Sequence, residues 1–247
     1  MFPLKDNIPT DRFPVVTVVL IVANVIVYFF LQDGRLGLPD GGAVGDWPVS
    51  TFAYIPCEIT GSTPCDTTAG GPAAWVTVFT AMFMHGSIVH LGGNMLFLWI
   101  FGNNVEDSMG PVKFLAFYLL GGIAATALQT VVSSGQEAEV ANLGASGAVA
   151  AVLGGYLLLF PRARVITVIF IIFFFTIVEL PALIFLVIWF AQQALLGYFD
   201  IIQPQGEGGG VAYFAHIGGF AFGLAAIKLF ASEQRRQRQI ERVGGVT

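Results

Sequence analysis

Apolar residues run in long blocks along this chain, at about 15–31, 76–101, 112–132, 145–160, 165–198 and 211–230, with short polar segments between them. A helix needs about 20 such residues to cross a hydrocarbon core of about 30 Å. Their repetition predicts an all-α polytopic membrane protein, a bundle of six transmembrane helices. Composition agrees, since 55% of the 247 residues are hydrophobic and only 11% charged. A soluble domain carries roughly 25% charged residues, so that class is excluded. The net charge of −5 says little about partners and calls for no nucleic acid; the surrounding partner is a lipid bilayer.

The placement of charge is more informative. With six spans, Lys5, Arg12, Lys113, Arg162, Arg164, Lys228, Arg235, Arg236, Arg238 and Arg242 fall on one face, and Arg35 alone falls opposite. That asymmetry predicts cytoplasmic N and C termini. The block 165–198 could instead be two spans broken near Glu179-Leu180-Pro181. Seven spans would send the basic tail outside, so six are preferred. Residues 181–198 then cross, with Pro181 tolerated in a first helical turn, while 165–178 lies at the cytoplasmic interface or forms a bent extension. The first block ends in Tyr-Phe-Phe-Leu-Gln-Asp without a small-residue cleavage pattern, as expected of a retained helix rather than a signal peptide.

These boundaries give a cytoplasmic segment 1–14, a membrane domain 15–232 and a basic tail 233–247, expected to extend the last helix and to attract anionic lipid. The long outer loop 33–74 carries Asp33, Asp40, Asp46, Glu58 and Asp66. The apolar run 75–84 could bury part of that loop in the bilayer. Cys57 and Cys65, eight apart, suggest a local disulfide in an oxidising compartment; two free thiols are the alternative.

Polar groups inside spans are costly and mark function by default. All three histidines, His85, His90 and His216, lie in or beside spans, together with Asn94 and Ser146. The even-numbered spans run inward from the outer face, and His85, His90, Ser146 and His216 fall near their outer ends, His216 about 7.5 Å into the sixth; Asn94, four residues after His90, faces the same way one helix turn on. Ser146 sits in Gly144-Ala145-Ser146-Gly147, where glycine lets the backbone turn sharply and approach a substrate. A serine in a first helical turn lies beside unpaired backbone N–H groups, which suit an oxyanion hole. Residues 145–160 cover about 24 Å, short of the core, which sinks Ser146 below the surface. Ser146, Ala150 and Gly154 share one face, and His216, Gly219 and Gly223 another. Packed together, these small-residue faces would bring serine and histidine within reach. Each residue alone could be packing or interhelical glue; jointly they make a site.

The ordered set His85-Gly-Ser-Ile-Val-His90-Leu-Gly-Gly-Asn94, Phe101-Gly-Asn-Asn-Val-Glu106-Asp, Gly144-Ala-Ser146-Gly147 and Ala215-His216-Ile-Gly-Gly219 with Gly223 resembles the rhomboid family of intramembrane serine proteases over 75–229, in its bacterial-type six-span form. The resemblance implies a serine endopeptidase that cleaves membrane-spanning protein substrates. It implies a dyad of Ser146 as nucleophile and His216 as base, and an oxyanion hole from His90, Asn94 and the Ser146 backbone. His85, Gly144, Gly147 and Gly219 would support them, and no metal or cofactor is called for. The family's lateral gate points to Trp189 and Phe190. Two positions depart from the pattern. Ala150 stands where relatives often carry an aromatic residue against the histidine, and the Trp-Arg pair of many first loops is absent, Trp75 being followed by Val76. With no aspartate near, the helix contact itself is expected to orient His216. A catalytically dead relative would usually have lost Ser146 or His216. A solute transporter would predict midplane sites, paired charges and inverted repeats, none of which is visible. The compact form points to a prokaryotic plasma membrane.

Overall fold

A computed structural model of the chain describes residues 2–32, 49–62, 65, 71–171, 174–202 and 211–244. Arg35 and the loop acids Asp33, Asp40, Asp46 and Asp66 lie outside the described residues. The chain enters through a strand, β1 (Phe2–Asp6), and an apolar helix, α1 (Val15–Ile26), whose end widens into a π-turn (Val27–Leu31). Two short helices follow, α2 (Val49–Phe52) and α3 (Pro56–Thr60), then α4 (Ala74–Thr80) with a 3-10 turn at Ala81–Phe83. Helix α5 (Ile88–Phe97) continues through a π-turn (Leu98–Gly102) into α6 (Asn103–Met109). After Gly110 come α7 (Pro111–Val132) and α8 (Ser146–Leu159), the strands β2 (Arg164–Ile171) and β3 (Phe174–Pro181), and the helices α9 (Ala182–Ile202), α10 (Tyr213–Phe230) and α11 (Glu233–Gly244).

The chain is mostly helical, but three expectations change. The block 76–101 is not one helix. Ser87 caps α5, accepting from the backbone N–H of His90 at 3.1 Å, which satisfies a first-turn donor. The pieces on either side of His85-Gly86-Ser87 meet at 82°, so α4 and α5 are separate helices. The segment 165–178 is not helical either: β2 and β3 form an antiparallel hairpin, and β1 pairs on the other side of β2. Its Val, Ile, Thr and Phe content favours pleated strands, and α9 starts at Ala182, directly after Pro181. The fold is therefore not purely α. Lastly, the basic tail does not extend α10. The chain breaks at Ala231-Ser232, and α11 folds back so that Gln239 Nε2 donates to Asp107 Oδ2 at 3.2 Å.

Among the described residues, three helices are long and apolar enough to cross a membrane: Pro111–Val132, Ala182–Phe199 and Tyr213–Phe230. The bent pair from Ala74 to Met109 makes a fourth, while Val15–Leu31 and Ser146–Leu159 are shorter.

One end of the bundle gathers the basic residues and the buried carboxylates among the described residues. Helix α1 has no capping side chain of its own; Glu106 of α6 accepts from the N–H groups of Val16 (3.0 Å) and Thr17 (2.8 Å) and from the Thr17 hydroxyl (2.8 Å). A carboxylate thus satisfies the helix's orphan donors and meets its positive end. Beside it, Asp6 Oδ2 accepts from Tyr156 Oη (2.5 Å) and Asn104 Nδ2 (2.6 Å), tying β1 to α8 and α6. Burial pushes the Asp6 carboxyl up to about 7, against the opposing Tyr156 hydrogen bond. The folded chain then holds this proton more tightly than the unfolded one. Its stabilising contribution is full below about pH 4 and is lost as pH rises to about 7. Thermal unfolding in detergent should show that decline, and Asp6→Asn should flatten it; an unchanged slope would place the titration elsewhere.

Candidate active site

At the opposite end, α8 begins at Ser146 itself, half-buried. Gly144 before it has φ +130°, a conformation open chiefly to glycine. A Cβ there would sit 2.8 Å from His90 Cε1, 3.0 Å from His90 Nε2 and 3.5 Å from Ser146 Oγ. Imidazole and hydroxyl therefore close on one point, which a side chain at 144 would occupy. The turn is fixed by the Gly144 N–H donating to Ala81 O at 2.9 Å. Ser146 also lines a cavity whose polar wall includes Tyr54, Thr126, Gln129 and Asn142.

His216, buried in the first turn of α10, is held by two residues of α9. Its Nδ1 lies 2.7 Å from Gln193 Oε1, and its ring centroid lies 6.0 Å from that of Trp189. An amide oxygen can only accept, so Nδ1 carries the proton and Nε2 is left as the basic nitrogen.

Backbone contact between α8 and α10 sets the remaining geometry. A Cβ on Gly219 would meet the Gly147 carbonyl oxygen at 2.0 Å, one on Gly223 the Ala151 oxygen at 2.1 Å, and one on Gly154 the Phe220 oxygen at 2.2 Å. The two helices run parallel, touching along Gly147, Ala151 and Gly154 on one side and Gly219, Phe220 and Gly223 on the other. Ser146 and His216 thereby share one end of the contact. Of the expected α8 stripe, Gly154 lies in the seam, while Gly147 and Ala151 take the places expected of Ser146 and Ala150. The shift keeps Ser146 out of the seam and on the cavity. Ala150 is fully buried, and the ring beside His216 comes from α9 instead.

On α5, His90 and Asn94 lie one turn apart. Asn94 is 8% exposed, and its buried amide nitrogen has no hydrogen-bond partner. Such a donor is costly unless something is to fill it. His85 is buried with its ring edge-on to His90, centroids 5.1 Å apart. Its backbone is clamped by Gln32, which donates from Nε2 to His85 O (3.1 Å) and accepts from His85 N–H (2.9 Å).

Of the gate candidates, Trp189 packs on His216 and Phe220, and Phe190 stacks on Phe220 at 4.7 Å. Cys57 and Cys65 are joined in a disulfide, Cα atoms 5.7 Å apart. Glu179 pairs with Arg164 at 3.2 Å at the base of the hairpin and takes no part in the site. Among the described residues, no group of three or more His, Cys, Asp or Glu is placed to hold a metal ion. Sequence reasoning missed Gln193 and Gln32. The signal for Gln193 was present, a polar amide inside an apolar block four residues after Trp189, where the helix puts both on one face.

A mostly helical membrane bundle, with a serine and a histidine carried at one end of two touching helices, defines the class. A family model described as the Rhomboid domain matches residues 72–233, and the chain belongs to the rhomboid family. It is 30% identical over 177 residues, 68% of this chain and 46% of the relative, to the yeast (Saccharomyces cerevisiae) protein "Rhomboid protein 1, mitochondrial". It is 32% identical over 145 residues to "Presenilin-associated rhomboid-like protein A, mitochondrial" of Danio rerio, covering 58% of this chain and 34% of that one. The chain thus spans less than half the length of these relatives. Their names overturn the plasma-membrane expectation. Charge asymmetry distinguishes the two faces of a membrane without saying which membrane it is.

Proposed function

We propose that this chain is an intramembrane serine endopeptidase that hydrolyses peptide bonds in or near the transmembrane segments of other proteins. The observation that carries this is the α8–α10 contact at Gly147 and Gly219, with His216 presented by Gln193 so that Nε2 is the free base. In this reading Ser146 Oγ attacks the scissile carbonyl carbon while Nε2 takes its proton. The oxyanion is met by the Asn94 amide, His90 and the unpaired backbone N–H groups at the start of α8. The imidazolium then protonates the leaving amine. Water drawn from the polar cavity beside Ser146 cleaves the acyl-enzyme, activated by the same nitrogen.

The six-span bundle belongs to this reading. With the bent pair counted once, Val15–Leu31 and Ser146–Leu159 complete six crossings, and the shortness of α8 lets water reach Ser146 from the end opposite the basic residues. Substrate entry past α9 would part Trp189 and Phe190 from Phe220, and the contacts that shut the bundle there also hold His216. The proposed chemistry uses no cofactor.

Gln193 takes the orienting place that a buried aspartate holds in soluble serine proteases. A neutral amide fixes the ring without burying a second charge. Gln193→Ala leaves Nδ1 unpaired, at a cost of about 1–3 kcal/mol, or roughly 10- to 100-fold in kcat; Gln193→Glu, which keeps the acceptor, should recover part of it. Asn94→Ala should slow kcat by about 10- to 1,000-fold with KM little changed, and an unaltered kcat would remove Asn94 from the oxyanion hole. The reading as a whole is tested by incubating purified protein in vesicles with a model single-pass substrate. Cleavage within or beside the membrane segment is expected, and an intact substrate in every bilayer tried would refute it.

A further inference from the structure

The β2–β3 hairpin plays no part in the site described. Its base is secured: Val165 and Thr167 are fully buried, the Arg164 N–H donates to Asn7 Oδ1 at 2.7 Å, and Ala182 N–H to Ala163 O at 2.7 Å. The pairing with β1 ends at Val168. Beyond it, Phe170, Phe174 and Phe175 are 68%, 79% and 68% exposed. Neighbours on a strand point to opposite faces, so Phe174 and Phe175 bare rings on both sides of the ribbon. Among the described residues from 168 to 178, Thr176 alone is polar.

We infer that the far half of this hairpin is a membrane-surface element, immersed in the lipid of the leaflet at the basic end of the bundle. A protein partner seated on one face would leave the other face's rings in water; lipid covers both. The apolar surface is continuous with α9, where Leu183, Ile184, Val187 and Ile188 are exposed in the manner of a lipid-facing span. Charge is graded along the ribbon as an interface requires. Lys5, Arg162, Arg164 and Glu179 lie at its base, suited to headgroups and to anionic lipid in particular, and the aromatic residues lie beyond. Backbone chemistry limits the depth. Strand β3 is a free edge, and its unpaired N–H and C=O groups are not tolerated in the hydrocarbon centre. The hairpin therefore lies at the headgroup–acyl boundary, where water and headgroups still reach that edge.

Both native cysteines are bridged, so Phe174→Cys and Phe175→Cys each supply a single thiol for a nitroxide. The labelled proteins are reconstituted in vesicles of mixed zwitterionic and anionic lipid. Relaxation by oxygen, which concentrates in acyl chains, should exceed relaxation by a water-soluble nickel chelate at both positions, and Gln237→Cys on α11 should show the reverse. Nickel-dominated relaxation at either phenylalanine position, or exclusion of both reagents by a protein contact, overturns the inference. The unsubstituted chain gives a second test: a lipid-borne diazirine should label peptides from 164–181 as it labels α9, and label confined to α9 overturns it equally.

Discussion

Ser146→Ala is expected to lower the cleavage rate by on the order of 10⁴-fold or more, and His216→Ala to do the same. The two groups act as one unit: a serine hydroxyl is a weak nucleophile unless a base accepts its proton as the bond forms. Removing both should therefore cost little more than removing either, and the double variant should match the singles. The serine change should not unfold the protein, because Ser146 stands off the α8–α10 seam and its hydroxyl is not part of the packing. Rates on a single-pass substrate, with thermal unfolding of each variant, separate lost chemistry from lost structure. Undiminished cleavage by the serine variant would end the proposed mechanism.

The second large effect falls on stability. At Gly219 an added methyl meets backbone, the Gly147 carbonyl oxygen at 2.0 Å and its carbon at 3.0 Å, and backbone cannot rotate aside as a side chain can. Gly→Ala in a helix ordinarily gains up to about 1 kcal/mol. Here the gain is outweighed by overpacking of about 1–3 kcal/mol or more. The helices must also move apart by about 1 Å beside the proposed dyad, a misplacement that can cost on the order of 10²-fold in rate. Gly219→Ala should thus lower both thermal stability and cleavage. Gly92→Ala provides the contrast, since nothing lies within 4 Å of a Cβ there, and it should be neutral or slightly stabilising. Equal effects at the two sites would contradict the close backbone contact.

Particular residues show how far the sequence could be read. Ser146, His216 and His90 were found because polar groups are rare in apolar blocks and charge asymmetry set their common depth, and Asn94 by its four-residue spacing from His90. The small-residue stripes were found as well, with Gly154, Gly219 and Gly223 in the contact, but Ser146 and Ala150 were each placed one residue early. Periodicity narrows a helix face only to neighbouring positions, and the partner helix selects among them. The break before α5 depends on the Ser87 hydroxyl reaching the His90 N–H, a local bond that an apolar run conceals. The stretch 165–178 is apolar but for Thr167 and Thr176, so no period tells strand from helix; the pairing of β2 with β3 and β1 does. Gln193 was missed for a different reason. His216 was expected to be held by the helix it packs against, and its orienting partner belongs to a third helix whose approach no spacing in the sequence reveals.

Site mapping of a fluorophosphonate adduct tests the central claim most directly, because the reagent traps the activated serine without needing a substrate. In the wild-type chain the adduct should map by mass spectrometry to Ser146, and His216→Ala should abolish it. An adduct on another serine, or full labelling of Ser146 without His216, would contradict the account.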